Sequence, residues 1–251
     1  DVYKRQMLAH RKRYADDWEA MHMEVFTNST GIKEFGSVQK KSIACTKHII
    51  EHGGKGVVVE PRGYGKTSRT ANNALMAVLQ GKCRYVVILA SSVNKANDIL
   101  ESILTELQGN DKLAAMYPAI CECFYHAGDN PIRAKRQTYR GEPTFLTVTK
   151  QLIRMPTIEG EDCSGSIIQV RPKDNLRGMH VKVRSGPNKG SVLRPQFVFM
   201  DDIQTDEEAA SPTSVYKIVQ TIKKSVLFSG SHAKRVSAVM CATPILSLIH
   251  I

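Results

Sequence analysis

The sequence lacks any long apolar run. No segment approaches the roughly 18 consecutive apolar residues that a membrane-spanning helix needs. Lys4 and Arg5 near the start are followed by no apolar stretch, so we expect neither a membrane anchor nor a secretory signal. Aromatic residues are scarce at 6%, and Trp18 is the single tryptophan. Because 42% of the 251 residues are hydrophobic, the chain can still bury one substantial core, which predicts a soluble domain of ordinary size.

Paired cysteines are also lacking. Cys121 and Cys123 are separated by one residue, whereas the ligands of structural zinc sites are usually separated by two or more residues. The sequence has no second cysteine pair that could complete such a site. We therefore expect the six cysteines to be reduced and mostly buried thiols rather than zinc ligands.

Acidic residues are outnumbered by basic ones. The chain has 35 Lys and Arg against 24 Asp and Glu, which gives a net charge of +11 and a pI near 9.4. Any one basic cluster is equally typical of a solvated surface, but several clusters together with this net charge favour a nucleic-acid partner. The clusters are Arg11, Lys12 and Arg13; Arg133, Lys135, Arg136 and Arg140; and Arg171, Lys173, Arg177, Lys182 and Arg184.

Strands and helices alternate from residue 56 onward. The β-branched runs at 56–59 and 85–89 are typical of strands buried on both faces. A helical stripe follows each run, the first ending at Gly81 and the second running from Ser91 and Ser92 to Gly109. This order predicts an α/β fold with a mainly parallel central sheet flanked by helices.

The later half is less regular. We expect strands at 145–148, 166–170, 197–200 and 236–241, with a loop at 185–190. Ser211 and Pro212 begin a helix that Gly230 ends. Its apolar residues are expected to face inward: Val215, Ile218, Val219, Ile222 and Val226.

A glycine-bearing turn joins the strand at 56–59 to the helix after it. The turn reads Glu60-Pro61-Arg62-Gly63-Tyr64-Gly65-Lys66-Thr67. It matches the end of the pattern G-x4-G-K-[ST], although Glu60 stands where the first glycine belongs. In such loops the main chain cradles phosphates, the lysine reaches the β- and γ-phosphates, and the hydroxyl binds Mg²⁺. A plain helix N-terminus is the alternative, but the strand-to-helix position favours a phosphate-binding loop.

Two acids follow the strand at 197–200. A phosphate-binding site needs one carboxylate to hold Mg²⁺ and a second to orient or deprotonate the attacking water. Asp201 fits the metal and Asp202 fits the water, although aspartates are also ordinary in turns. Thr243, at the end of the last predicted strand, is placed to sense the γ-phosphate, and a simple Thr-Pro turn is its alternative.

The order of these motifs resembles the large terminase subunit of tailed bacteriophages over roughly residues 35 to 245. The arginine inside the phosphate loop and the Arg-Pro that leads into the acidic strand are characteristic together. The segments that carry the resemblance are Pro61 to Thr67, Leu176-Arg177-Gly178-Met179, Arg194-Pro195-Gln196 with the strand and acids after it, and Ala242-Thr243-Pro244.

The resemblance implies a P-loop ATPase of the ASCE type that hydrolyses ATP with Mg²⁺ to drive double-stranded DNA into a capsid shell. It implies a portal protein, a small terminase subunit and further copies of the chain in a ring as partners, in the cytoplasm of the infected bacterial host. The implied roles are nucleotide binding for Gly63, Gly65, Lys66 and Thr67; Mg²⁺ binding for Thr67 and Asp201; catalysis for Asp202; γ-phosphate contact for Arg62; and coupling for Thr243.

The sequence departs from the family pattern at two positions. The catalytic acid is usually glutamate, so Glu207 or Glu208 is an alternative to Asp202. An adenine-contacting glutamine is expected upstream of the loop, and Gln39 is the candidate.

The expected domain organisation has four parts. Residues 1–6 and 246–251 resemble translated sequencing-adapter sequence and are taken as non-native tails. A helical segment is expected at 7–55 and the ATPase core at 56–245, without the nuclease domain that the family usually carries. Since no strand is predicted after 236–241, we expect one sheet edge to be unpaired.

Two rival functions remain open. A helicase-type ATPase shares the phosphate loop, the acidic strand and the positive charge. A nucleic-acid-binding module with a decayed phosphate loop is the other, because the first glycine of the pattern is missing.

Overall fold

A seven-stranded sheet forms the centre of the computed structural model, which describes residues 2–31, 34–173, 179–183, 186, 189–226, 229 and 236–244. The strands are β1 (Lys55–Val59), β2 (Tyr85–Ala90), β3 (Thr138–Tyr139), β4 (Glu142–Pro143), β5 (Thr147–Thr149), β6 (Leu152–Arg154), β7 (Ile167–Pro172), β8 (Val181–Lys182), β9 (Val192–Leu193), β10 (Phe197–Asp201) and β11 (Ser237–Ala242). The central sheet has the order β1-β11-β10-β2-β7-β6-β5, while β3-β4 and β8-β9 are separate pairs.

The α-helices are α1 (Val2–Asp16), α2 (Trp18–Glu24), α3 (Thr27–Thr30), α4 (Ser37–His52), α5 (Lys66–Leu79), α6 (Val93–Gly109), α7 (Asp111–Met116), α8 (Pro118–Ala127), α9 (Pro131–Lys135), α10 (Asp206–Ala209) and α11 (Pro212–Thr221), which continues as a π-helical turn at Ile222–Val226. No helix within these described ranges is both long and apolar enough to cross a membrane.

The five strands from β1 to β7 in the sheet order are parallel, which confirms the predicted α/β architecture. Strand β11 lies between β1 and β10, so the carboxyl ends of these three strands meet at one edge of the sheet. Antiparallel β6 and β5 extend the far side. The topology therefore brings the phosphate-loop strand, the acidic strand and the Thr243 strand together, although 134 residues separate Thr67 from Asp201.

Side-chain alternation divides the core into two layers. One face of the sheet, with Val86, Ile88 and Phe199, packs against the N-terminal helices and against α5, α6 and α8. The opposite face, with Val87 and Met200, packs against Val226 and the β8-β9 pair. Five of the six cysteines are buried and Cys45 is exposed, in agreement with the predicted buried thiols.

Two predictions of local structure are corrected. The strand at 145–148 begins two residues later, because Phe145 has a positive φ of 53° that no strand accepts. Helix α11 forms after Ser211 as predicted, but its apolar residues face inward only in part. Val226 is buried and Ile218 and Ile222 pack against the core, whereas Val219 is 39% exposed beside a groove.

Several sequence motifs lie outside the described residues. They are Leu176, Arg177 and Gly178 of the resemblance, Arg184 of the third basic cluster, Gly230, which was expected to end α11, and the tail at 246–251.

Candidate nucleotide-binding site

The predicted phosphate loop joins β1 to α5 at the carboxyl edge of the sheet. Gly63 and Gly65 have φ angles of 81° and 70°, a left-handed conformation that glycine adopts without steric cost. Gly65 is the N-cap of α5, so the N–H groups of the first helical turn point into the loop. A helix N-terminus of a 14-residue helix beneath a glycine loop provides the electrostatics that favour a phosphate.

Lys66 folds back onto the loop. Its Nζ donates hydrogen bonds of 2.9 Å to the carbonyl oxygens of Glu60 and Pro61, and the residue is only 7% exposed. These carbonyls satisfy a buried ammonium group that would otherwise be costly. The ammonium therefore stands within the loop, where an incoming phosphate would meet it.

Glu60, the residue in place of the first glycine, turns inward. Its carboxylate pairs with Arg69 of α5, and both side chains are almost fully buried. Arg69 also donates to the carbonyl oxygen of Tyr64, while the main-chain N–H of Glu60 donates to Ala242 at 3.0 Å. The loop is thus fixed to α5 and to β11 by this pair. The sequence pattern did not predict a role for Arg69, although it follows Lys66 by three residues on the same helix face.

Thr67, in the first turn of α5, meets Asp201 at the carboxyl end of β10. The hydroxyl of Thr67 donates to Asp201 Oδ2 at 2.8 Å, and the hydroxyl of Thr70 lies 3.5 Å from Oδ1. Burial raises the pKa of Asp201, which is 4% exposed, while the bond from Thr67 opposes this shift. A hydroxyl beside a carboxylate is the hard-oxygen donor set that Mg²⁺ prefers, so these two side chains fit that ion.

Asp202 is held by Thr243. Asp202 Oδ1 accepts from the main-chain N–H of Thr243 at 2.9 Å, and Oδ2 accepts from its hydroxyl at 2.7 Å. Asp202 has a φ of 42°, in the left-handed region that aspartate tolerates better than most residues, and its N–H donates to Cys241 at 2.9 Å. The predicted water-orienting acid and the predicted γ-phosphate sensor are therefore hydrogen-bonded to each other, although they follow different strands.

The alternative acids lie on α10. The carboxylate of Glu208 accepts from the N–H and hydroxyl of Thr205, which closes a capping box, and it also pairs with Lys173. The hydrogen bond from Lys173, followed by the bonds from Thr205, lowers the pKa of Glu208. Glu207 is exposed on the same short helix. The carboxylate of Glu208 is therefore engaged in hydrogen bonds that stabilise the start of α10. This favours Asp202 as the predicted water-positioning acid.

Arg62 extends away from the loop to Asp206, the first residue of α10. Its Nη2 lies 2.6 Å from both carboxylate oxygens, and the arginine side chain is 72% exposed. Glu60 pairs with Arg69 and not with Arg62, so Arg62 does not shape the turn through Glu60. Contact between Arg62 and a γ-phosphate stays a prediction.

Gln39 reaches the phosphate loop from α4. Its Nε2 donates to the carbonyl oxygen of Tyr64 at 3.1 Å, and its Oε1 accepts from the N–H of Gly36 at 2.9 Å. The structure therefore places this side chain against the loop, with both ends of the amide engaged. Its contact with adenine stays a prediction.

An open cavity of about 490 Å³ adjoins Asp202. Its polar side is formed by Arg62, Asp202, Asp206 and Thr243, and its other side by the apolar residues of α11. The acid, the hydroxyl and the guanidinium thus share one solvent-accessible space beside the loop.

The basic clusters differ in their surroundings. Arg11 pairs with Glu161, and Arg13 pairs with Glu24, so the first cluster is largely neutralised within the chain. Arg133, Lys135 and Arg136 are exposed, and none of the three forms an ion pair in the part of the chain that the structure describes. The surface formed by these three residues, here called the α9 face, is the strongest candidate for contact with a polyanion.

Comparison with known proteins gives a limited result. No protein-family model matches the sequence, and no curated protein matches it. Two solved structures of the large terminase ATPase domain of the Thermus phage P74-26, one of them a point mutant, are similar to this chain at 17% sequence identity. Each similarity covers 87% of this chain and 68% of the other, with TM-scores of 0.39 for the domain and 0.37 for the mutant. This degree of likeness does not establish an activity, so the function proposed below depends on the site itself.

Proposed function

We propose that this chain is an ATP hydrolase that binds ATP and Mg²⁺ at the loop between β1 and α5. The observation that carries this proposal is the 2.8 Å contact between the Thr67 hydroxyl and the Asp201 carboxylate, directly beside the buried Lys66 ammonium. A helix N-terminus, an ammonium and an oxygen pair for Mg²⁺ are the groups that a nucleoside triphosphate requires. The topology brings all of them to one point.

Each side chain has a role in this proposal. Lys66 would exchange the carbonyls of Glu60 and Pro61 for phosphate oxygens. Thr67 and Asp201 would hold Mg²⁺, which neutralises charge on the phosphates. Asp202 would orient the attacking water, and Thr243 fixes the direction of its carboxylate through two hydrogen bonds.

Hydrolysis is tested by measuring phosphate release and nucleotide binding for Lys66→Ala and Asp202→Asn. Lys66→Ala should abolish detectable turnover, and Asp202→Asn should keep nucleotide binding but lower turnover. Lys55→Ala, an exposed lysine of the preceding strand, is the matched control. Normal Mg²⁺-dependent hydrolysis by Lys66→Ala would contradict the proposed site, and a silent Asp202→Asn beside an impaired Glu207→Gln would move the catalytic acid to α10.

We further propose that hydrolysis drives double-stranded DNA into a viral shell, in the host cytoplasm, with portal protein, small terminase subunit and a ring of identical subunits as partners. The motif resemblance and the unpaired cations of the α9 face support this finer function. Duplex binding should fall steeply with salt, with a log–log slope of roughly −4 to −5 if about five phosphates are contacted.

The DNA proposal is tested by reversing the charge of Arg133, Lys135 and Arg136 together. The control reverses Lys217, Lys223 and Lys224, which are also exposed and change the net charge equally. Loss of duplex binding only in the first variant supports a DNA track on the α9 face. Equal loss of duplex binding in both variants would mean that binding depends on net charge and not on the α9 face. ATP-driven strand separation would indicate a helicase instead of a packaging motor.

A further inference from the structure

A second cavity, of about 460 Å³, lies at the far side of the sheet from the phosphate loop. Its apolar wall is formed by Leu146, Leu152, Ile167 and Val181, with the ring of Phe145 beside them. Three cationic residues, Lys135, Arg154 and Lys182, also line this distal cavity, and no carboxylate is among its lining residues in the described part of the chain. Its size is within the range of small-molecule sites, roughly 300–1,000 Å³.

The main chain at Gly186 closely approaches the side chains of Arg154 and Phe145. A Cβ atom at Gly186 would come within 3.1 Å of Arg154 Nη2 and 3.2 Å of Phe145 Cδ2, and its φ of 83° also favours glycine. Arg154 is 8% exposed, so its charge lies mostly inside the protein. The distal cavity therefore combines a buried cation and an aromatic ring with two exposed lysines, Lys135 and Lys182.

Phe145 has a backbone conformation that is rare for a bulky residue, with φ at 53°. The preceding Thr144 is fully buried, and both its N–H and its hydroxyl donate to the carbonyl of Gln137, at 3.0 and 2.9 Å. These bonds fix Thr144 and thereby help to maintain the positive φ of the next residue, Phe145. Strain of this kind is concentrated at ligand-binding positions.

The distal cavity is continuous with the α9 face. Lys135 is the last residue of α9 and also lines the cavity. Arg133 and Arg136 flank it on the surface and are exposed. A strand of nucleic acid bound along the α9 face would therefore pass the opening.

We propose that the distal cavity binds one nucleoside phosphate, with the phosphate near Lys135, Arg154 and Lys182 and the base against Phe145. A lone phosphate would leave the apolar wall without a contact, and a neutral apolar ligand would leave three cations without a counter-charge. A nucleoside phosphate can contact the apolar wall through its base and the cations through its phosphate. Its source is a free nucleotide or an unpaired nucleotide of a bound strand. The second source rests on the proposed nucleic-acid binding.

The test measures binding of the full chain at fixed salt, without ATP or Mg²⁺, to three probes: thymidine monophosphate, a short single-stranded thymidine oligonucleotide, and a blunt duplex. Phe145→Ala should lower single-strand affinity about tenfold, the change expected from loss of one base stack, and leave duplex affinity unchanged. Lys182→Ala should also weaken single-strand binding, whereas the exposed Lys189, outside the cavity lining, provides the control Lys189→Ala.

If the chain binds the monophosphate and Phe145→Ala removes that binding, the source is a free nucleotide. If the chain binds the oligonucleotide alone, the source is an unpaired nucleotide of a bound strand. The proposal is overturned if correctly folded Phe145→Ala and Lys182→Ala proteins keep full affinity for both thymidine monophosphate and the single-stranded oligonucleotide. It is also overturned if Lys66→Ala, in the phosphate loop, removes this binding. Failure of the chain to hydrolyse ATP would not affect the result, because no ATP is present.

Discussion

At the residue scale, the pair formed by Asp202 and Thr243 connects two strands that the chain order keeps 41 residues apart. Both carboxylate oxygens of Asp202 accept hydrogen bonds from this one residue. A carboxylate held in this way can present only a limited set of directions to a water molecule. The carboxylate of Asp202 is therefore oriented by a neighbouring residue.

Replacing Thr243 with valine should lower ATP turnover about tenfold without changing nucleotide affinity. The hydroxyl bond to a charged oxygen is lost, and such bonds contribute about 1.5–3 kcal/mol, while the main-chain bond remains. Thr243→Ser, which keeps the hydroxyl, should recover most of the activity. Steady-state turnover together with a binding titration checks this, and unchanged turnover in Thr243→Val would show that the hydroxyl does not orient the acid.

Arg62→Ala should lower turnover at least a hundredfold and leave nucleotide affinity nearly unchanged. Arginine fingers that stabilise developing phosphate charge contribute about 10³–10⁵ in rate. In the structure Asp206 holds this guanidinium, so Asp206→Asn should release it and keep or raise turnover. If Asp206→Asn is as inactive as Arg62→Ala, the pair itself maintains the active arrangement and Arg62 is structural.

At the element scale, β1 is the edge strand of the central sheet. It pairs with β11 on one side, and in the described part of the chain no strand lies on its other side. Val57 and Val59 are 61% and 55% exposed on the same face. An exposed edge with apolar side chains favours pairing with another chain.

Val57→Lys should therefore reduce concentration-dependent association of the isolated chain, because a charged side chain on an edge strand opposes pairing. Light scattering across a dilution series measures this association. Val93→Lys, on an exposed helix position, introduces the same charge away from the edge and should have no such effect. Equal association of both variants and the parent chain would show that β1 is not the contact.

Helix α11 shows how far an amphipathic pattern predicts packing. Its apolar residues recur at helical spacing, which predicted an inward face. In the structure Ile218, Ile222 and Val226 pack against the core, while part of the same apolar side lines the open cavity at Asp202. The periodicity established the helix and its apolar side, but not how much of that side the core covers.

At the scale of the whole molecule, helix α2 near the N-terminus is joined to helix α5 of the central sheet layer by a buried polar contact. His22 Nε2 lies 2.8 Å from Asn73 Oδ1, and both residues are buried. Burial lowers the pKa of His22 to about 4, with a smaller contribution from the nearby Arg69 charge. The imidazole is therefore neutral in the folded protein at neutral pH.

Stability should fall as the pH decreases from about 6.5 towards 4. Below its ordinary pKa of 6.5, His22 takes up a proton in the unfolded chain but not in the folded one, so the unfolded state gains stability. At pH 5 this amounts to about 2 kcal/mol of unfolding free energy. Urea unfolding at pH 7.5 and pH 5 measures it, and His22→Gln should remove this part of the pH dependence. An unchanged pH dependence in His22→Gln would assign it to other groups.

The sequence by itself determined the local features of this protein. The β-branched runs, the helical stripes, the Ser92 and Ser211 caps and the Gly63 to Thr67 loop depend on residues close together in the chain. Their physical causes are backbone sterics, side-chain period and hydrogen bonding within a few residues. For this reason the α/β class, the parallel order and the loop position were all predictable.

Only the tertiary structure decided which of these features meet. Three ion pairs depend on how the strand ends align across the sheet. They join Glu60 to Arg69, Arg62 to Asp206, and Glu208 to Lys173. The distal cavity likewise combines α9, β6 and β8, which are distant in the chain. Such contacts are set by packing between elements far apart in sequence, and local pattern carries no information about that packing.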